Sequence, residues 1–163
     1  KKALEKIARQ IIRDFDNKHK NDIHEYLDYV KIGQWVNDNI KYDIRYSGRI
    51  DLTSMDIYNE KIGVCHHFTK LANALLYSLG YQVIYVNGYA CDTSSEFDRN
   101  AAHAWSLIKI NGKWYPFDAT WGIFSGKLPV CHVFEGFFGK SMNLIGTDRV
   151  GFGDNVVTGK FIK

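Results

Sequence analysis

Cys65 opens a run in which Phe68, Leu71, Ala72, Leu75, Leu76 and Leu79 recur with the 3.6-residue period of a helix that buries one face. Gly80 follows the last apolar position, where a left-handed cap is wanted, and Gly63 precedes the run. Cys65 is therefore predicted in a first helical turn, where free N–H groups and the positive end of the dipole favour a thiolate over a thiol. Further on, the strand-like runs His103 to Ile110 and Lys113 to Trp121 flank Asn111-Gly112, the strongest short-range signal of a type I′ hairpin. A two-residue loop sets Ile110 opposite Lys113, so Leu107 opposes Pro116, Trp105 opposes Asp118 and His103 opposes Thr120. Pro116 then falls on a pair that exchanges no hydrogen bonds, where its missing N–H is not needed. This register puts His103, Trp105, Asp118 and Thr120 on one face, with His103 and Asp118 diagonal neighbours at roughly 5.5–8 Å. An imidazole and a carboxylate so placed can hydrogen-bond. With the first turn of the Cys65 helix packed on that face, the chemistry available is a sulfur nucleophile, its base and the group that orients the base.

The elements that must hold these residues follow the same periodicities. Residues 3–16 are predicted as an amphipathic helix carrying Leu4, Ile7, Ala8, Ile11, Ile12 and Phe15 on one face. After the polar break Asn17 to Asn21, Asp22 is placed as the cap of a second helix bearing Ile23, Tyr26, Leu27 and Val30. Gly33 weakens its middle, and Trp35, Val36 and Ile40 extend the stripe. Residues 43–52 read as a loop, and Thr53-Ser54-Met55-Asp56 as a capping box leading a short helix into Gly63. Gln82 to Tyr89 is β-branched and aromatic, hence a buried strand; Cys91 to Asn100 is a polar loop. Beyond Gly122 the chain is Gly-rich, with strand candidates near Val130 to Phe134 and Asn155 to Phe161. With no repeat or linker, residues 1–163 are expected to form a single domain.

Composition narrows the possibilities. A 45% apolar and 24% charged chain of 163 residues is ordinary for one globular core. The 15% aromatic share predicts rings in the core or along a cleft. A net charge of +3, scattered along the chain, does not point to nucleic acid, and no apolar run is long enough for a membrane span. Cys65, Cys91 and Cys131 lack metal-ligand spacing; Cys91 and Cys131 read as small buried hydrophobes, with pairing in an oxidising compartment as the alternative. His66 and His67 adjoin Cys65, but consecutive helix positions diverge by about 100°, so no metal site is expected there. His19, His24 and His132 read as ordinary surface or core residues. A chain beginning Lys1-Lys2 reads as a processed or excised piece.

The order Gly63-Val64-Cys65 at a helix start, His103-Ala104-Trp105 opening a strand, and Trp114-Tyr115-Pro116-Phe117-Asp118-Ala119-Thr120-Trp121 closing a hairpin resembles the transglutaminase-like superfamily. Gln34 to Asp43 is similar to the region upstream of that family's cysteine, and the likeness covers roughly residues 30–125. The resemblance implies an α+β, papain-like fold with the cysteine helix packed on an antiparallel sheet. It also implies catalytic roles for Cys65 as nucleophile, His103 as general base and Asp118 as its orienter. The backbone N–H of Cys65 is expected in an oxyanion hole, with a second donor from Gln34, Trp35 or Tyr42.

The expected activity is cysteine-dependent acyl transfer on a protein or peptide amide through a thioester, leaning to hydrolysis in the manner of a cysteine protease. A transglutaminase or deamidase acting on glutamine side chains is the alternative, and a non-catalytic protein-binding module on the same scaffold is a second. Arylamine acyl transfer would share the three residues, but no feature for a thioester donor is visible. No cofactor is implied, and the oligomeric state is left open. The family's habit and the absent initiator Met suggest a secreted or cell-surface position within a larger bacterial protein.

Overall fold

A computed structural model describes residues 2–90, 102–128 and 132–138. The loop expected at 91–100, Cys91, Cys131, Val130 and the strand candidate at 155–161 lie outside the described residues. In chain order the elements are α1 (Lys2–Lys18), α2 (Asp28–Asn39), β1 (Lys41–Tyr42), a single 3-10 turn (Ile44–Tyr46), α3 (Ser54–Glu60), β2 (Ile62–Gly63), α4 (Cys65–Ser78), β3 (Val83–Tyr89), β4 (Ala102–Ile110), β5 (Lys113–Phe117) and β6 (Val133–Phe138). The four-stranded antiparallel sheet runs β5-β4-β3-β6, and β1 and β2 form a separate parallel pair. The fold is α+β, with α4 against one face of the antiparallel sheet, the arrangement expected of a papain-like fold. No helix among the described residues is long and apolar enough to cross a membrane.

The helix α4 is the central element. Phe68, Leu71, Ala72, Leu75 and Leu76 are buried in one cluster with Ala8 and Ile11 of α1, Ile32 and Val36 of α2, Ile57 of α3, and Val83, Ile108 and Phe117 of the sheet. At its C-terminus Gly80 has φ +99°; Gly80 N–H reaches Tyr77 O at 3.0 Å and Tyr81 N–H reaches Leu76 O at 3.2 Å, a paired cap that only glycine takes without strain. Thr53 and Asp56 exchange their capping bonds at 2.9 and 3.1 Å, so α3 starts where its sequence predicts. The hairpin has Asn111 at φ 51° and Gly112 at φ 80°, both central residues in the positive region that a type I′ turn requires.

Four expectations are corrected. The second helix begins at Asp28, with extended Leu27 as its N-cap residue, and Ile23 is 94% exposed. Tyr26 is held instead by α1, its ring edge-on to Phe15 at 5.2 Å and to His19 at 5.6 Å. The β4–β5 ladder runs through Ile110↔Lys113 and Leu107↔Pro116 but stops at Ser106↔Phe117, so Trp105 does not oppose Asp118 and His103 does not oppose Thr120. Asp118 pairs with Ile123 instead, each N–H donating to the other's carbonyl at 2.9 Å. Finally, α4 packs on the side-chain set of Val83, Tyr85, Ala104 and Ile108; Trp105 and Leu107 join Ile84, Val86, Trp114 and Leu128 in a cluster on the other face. The last described strand also begins three residues later than its candidate, and a bulge at Asn87/Gly88 interrupts its pairing with β3.

Gly33 has a use beyond weakening α2. A Cβ there would lie 2.3 Å from the Phe124 ring, so the bare backbone lets α2 close onto the segment after β5. Tyr29 Oη donates to Phe124 O at 2.7 Å, and Asn37 Nδ2 donates to the carbonyls of Ala119 at 2.9 Å and Thr120 at 3.0 Å. The helix thereby fixes the turn that follows Asp118.

Candidate active site

Cys65 is the first residue of α4, after the extended Val64. That helix start is clamped from two directions. Val64 N–H donates to His67 Nδ1 at 2.9 Å, so Nε2 carries the ring proton and donates to Arg49 O at 2.7 Å. Burial lowers the His67 pKa, in keeping with a neutral ring in that tautomer. A Cβ on Gly63 would stand 2.4 Å from His67 Cβ, so the glycine of the Gly-Val-Cys motif is what admits this clamp. The second direction is the β1–β2 ladder, which pairs Tyr42 with Gly63 and brings Asp43 N–H to Gly63 O at 2.9 Å. As a first-turn group, the Cys65 N–H has no intrahelical acceptor.

His66 points elsewhere, its Nδ1 3.1 Å from the Tyr85 hydroxyl, and burial, then the His67 and Lys70 charges, lower its pKa to about 4. The two adjacent imidazoles are turned 81° apart and hold different partners.

His103 and Asp118 meet in the buried interior. His103 Nε2–H donates to Asp118 Oδ2 at 2.6 Å; the carboxylate has no solvent exposure and the imidazole is 8% exposed. The sequence predicts this adjacency, although the ladder stops one pair short of Asp118. The carboxylate also accepts from Trp121 N–H on Oδ1 at 3.0 Å, which folds the chain back over the histidine. The Trp121 ring consequently stacks on His103 with centroids 4.6 Å apart, shielding it, while buried Trp105 stands 6.1 Å away. The other side of the imidazole is towards Cys65, which lines the same cavity and helps to raise the histidine's pKa. With Nε2 committed to Asp118, Nδ1 is the atom left for sulfur.

The electrostatics follow from this line of groups. Burial works to lower the His103 pKa, but the Asp118 hydrogen bond, and after it Cys65, raise it to about 9. Burial likewise works to raise the Asp118 pKa, and the bonds from His103, His132 and Trp121 N–H bring it below the ordinary carboxylate value. The imidazole is thus disposed to hold a second proton at neutral pH, beside sulfur.

A cavity of about 210 Å³ opens onto Cys65 and His103, with Tyr85, Asn87, Gly88 and Ala102 among its walls. Of the three proposed side-chain donors, Tyr42 is the one near sulfur: burial, then the Cys65 charge, raise its pKa, and its ring is half exposed. Gln34 and Trp35 instead line a groove of about 490 Å³ between α1 and α2. There Gln34 Nε2 donates to Asp38 Oδ1 at 2.9 Å and Trp35 stacks on Tyr58 at 5.5 Å. Tyr85 is a further phenol near Cys65, its pKa raised by burial and then by the cysteine charge.

His132, read from the sequence as ordinary, belongs to this centre. It is buried, and its Nε2 lies 2.9 Å from the same Asp118 Oδ2 that His103 uses. The ligating atoms of His103, Asp118 and His132 all fall within 4.8 Å of one another. The individual separations of 2.6 and 2.9 Å onto one oxygen are hydrogen-bond lengths. Ligand atoms around a tetrahedral ion bound at about 2.0–2.2 Å would stand about 3.3 Å apart. Nothing in the sequence pairs the last strand with its neighbour, so no signal placed His132 here.

Comparison with known proteins agrees with this architecture. Residues 9–119 match the family model of the transglutaminase-like superfamily. The chain is 27% identical over 109 residues to kyphoscoliosis peptidase of Mus musculus and 28% identical over 109 residues to that of Homo sapiens. Each alignment covers 62% of this chain and 16% of the relative, so the chain spans a small part of the curated proteins it matches. Among solved structures, a candidate cysteine protease from Cytophaga hutchinsonii is similar with a TM-score of 0.58 at 25% identity, over 83% of this chain and 42% of that one. A TGase structure is similar in fold, with a TM-score of 0.52 at 17% identity over 76% and 33% of the two chains.

Proposed function

The chain belongs to the transglutaminase-like superfamily, and we propose that it performs cysteine-dependent acyl transfer on a protein or peptide amide, with Cys65, His103 and Asp118 as the reacting set and water as the acceptor. The observation that carries this reading is Cys65 beside His103 on one cavity, with His103 hydrogen-bonded to a carboxylate that has no solvent exposure.

In the proposed reaction the thiolate of Cys65 attacks the amide carbon, and the oxyanion sits by the Cys65 N–H with Tyr42 as the nearest offered side-chain donor. Protonated His103 delivers its proton to the departing nitrogen as the C–N bond breaks, leaving a thioester on sulfur and a neutral imidazole. That imidazole then takes a proton from water as the water oxygen attacks the thioester, and the acid product leaves with the thiolate–imidazolium pair restored. Asp118 keeps its charge throughout and orients the ring.

The name peptidase on the curated relatives and the Cytophaga hutchinsonii protease support water as acceptor. An amine acceptor, giving a crosslink, is the second reading, and the TGase neighbour supports it through fold alone.

The decisive experiment follows iodoacetamide labelling of Cys65 at pH 6 in wild type and His103→Ala. Labelling is expected to be rapid in wild type and to fall at least about tenfold in the variant, since the proton holder beside sulfur is gone. Slow labelling that ignores His103 would leave the scaffold as a non-catalytic binding module. Product masses from a peptide mixture, with and without a primary amine, then distinguish hydrolysis from amine transfer.

A further inference from the structure

Resting on the reading of Asp118 as the partner of His103, we infer that His132 is a positioning residue for the same reaction, whose Nε2–H holds the Asp118 carboxylate in place beneath the His103 imidazole. Three donors converge on this carboxylate. His103 and His132 both reach Oδ2, at 2.6 and 2.9 Å, and Trp121 N–H reaches Oδ1 at 3.0 Å. They come from three different parts of the chain: β4, the residue before β6, and the turn after β5.

Geometry gives His132 little freedom to do anything else. Its ring stands edge-on to His103 at 5.6 Å, to Trp105 at 5.1 Å and to Trp121 at 4.9 Å, with interplanar angles of 71°, 81° and 78°. Two indoles and an imidazole thus fix the plane from which Nε2–H is presented. His132 Nδ1 is buried with no hydrogen-bond partner, so the ring's one polar contact among the described residues is Asp118. A ring that served only to fill space would not need a polar atom on the shared oxygen.

The consequence for Asp118 has a definite sign. A carboxylate with no solvent exposure stays charged only through its donors, and a hydrogen bond to the charged form favours that form. The groups facing Asp118 are His103, His132 and the Trp121 amide, with Cys65 one step further through His103. Loss of one donor of three therefore raises the pH at which Asp118 takes a proton. Once protonated, Asp118 no longer stabilises the His103 imidazolium, and the thiolate beside it is lost.

The test is the ¹³C titration of the Asp118 side-chain carboxyl in the full chain, assigned by its absence in Asp118→Asn. It is compared in wild type, His132→Gln, and whichever of His132→Phe and His132→Leu keeps the native fold. The apolar variant is expected to raise the Asp118 midpoint by about 1–2 pH units. Cys65 labelling at the acid end of its profile should fall up to about tenfold in parallel. His132→Gln, whose amide can donate from nearly the same point, should return both towards wild type. An unmoved midpoint in the apolar variant, or a glutamine variant no better than the apolar one, overturns the inference. The carboxyl titration does not pass through catalysis. Wild-type labelling indifferent to His103→Ala, with the midpoint moving as expected, would therefore count against the acyl-transfer reading and leave the His132–Asp118 relation standing.

Discussion

Turnover by Cys65→Ala is expected to fall to background, a loss on the order of 10⁴-fold or more, while the domain stays folded. Cys65 is the first residue of α4 and packs only partly against Ala74, Tyr85 and Ala104. Alanine there keeps the helix start, because the clamp on that turn is His67 between Val64 N–H and Arg49 O, and the far end is capped at Gly80. The loss of one half-buried sulfur costs about 1 kcal/mol or less in stability. His103 also retains its bond to Asp118. Denaturant melts and peptide turnover on the same preparation separate the two effects. Turnover within about tenfold of wild type would remove sulfur from the chemistry, and a large drop in midpoint would make Cys65 a structural residue.

Much of the arrangement around these residues is legible because it is set by short-range rules. Asn111-Gly112 can take positive φ at both positions, so it fixes the register through Leu107↔Pro116 and delivers His103 towards Asp118. The apolar period from Phe68 to Leu79 likewise puts Cys65 at a helix start. What escapes is whatever depends on a partner distant in sequence. Asp22 could cap a helix on local grounds, but Tyr26 is claimed by Phe15 and His19 at the end of α1, and the chain stays non-helical until Asp28. The ladder stops at Phe117 because Asp118 turns back onto Ile123, a choice reinforced by Asn37 of α2 gripping Ala119 and Thr120. Gln34 and Trp35 carry donors, yet helix phase turns them to the α1 side while the β1–β2 ladder brings Tyr42 to the cysteine. The position of His132 depends on a strand pairing with no turn signal of its own.

Asp118→Asn is expected to lower the rate by on the order of 10²–10⁴-fold and to move the alkaline limb of the activity profile towards neutrality. The three donors on this side chain explain why an isostere does not suffice. An asparagine presents one oxygen and one NH₂ to the two imidazoles and the Trp121 amide, so at least one donor meets another donor. The charge is lost as well. In wild type the His103 pKa is held at about 9 against burial, chiefly by its Asp118 hydrogen bond and then by Cys65. A reaction that needs imidazolium to protonate the leaving nitrogen therefore fails as pH rises through about 9. Without the carboxylate that limb should fall by about 1–3 pH units.

The same pair leaves a mark on stability. A raised histidine pKa contributes stability that is complete below its ordinary value of 6.5 and is lost as pH rises through about 9. The lowered Asp118 pKa contributes stability present above the ordinary carboxylate value of 3.8 and lost as pH falls through the folded value. The melting advantage of wild type over Asp118→Asn should therefore be widest between about pH 4 and 6.5 and should narrow beyond about pH 9. Rate profiles and melts across that range check both expectations. An alkaline limb that stays near pH 9 in the asparagine variant would show that Asp118 does not hold the His103 proton.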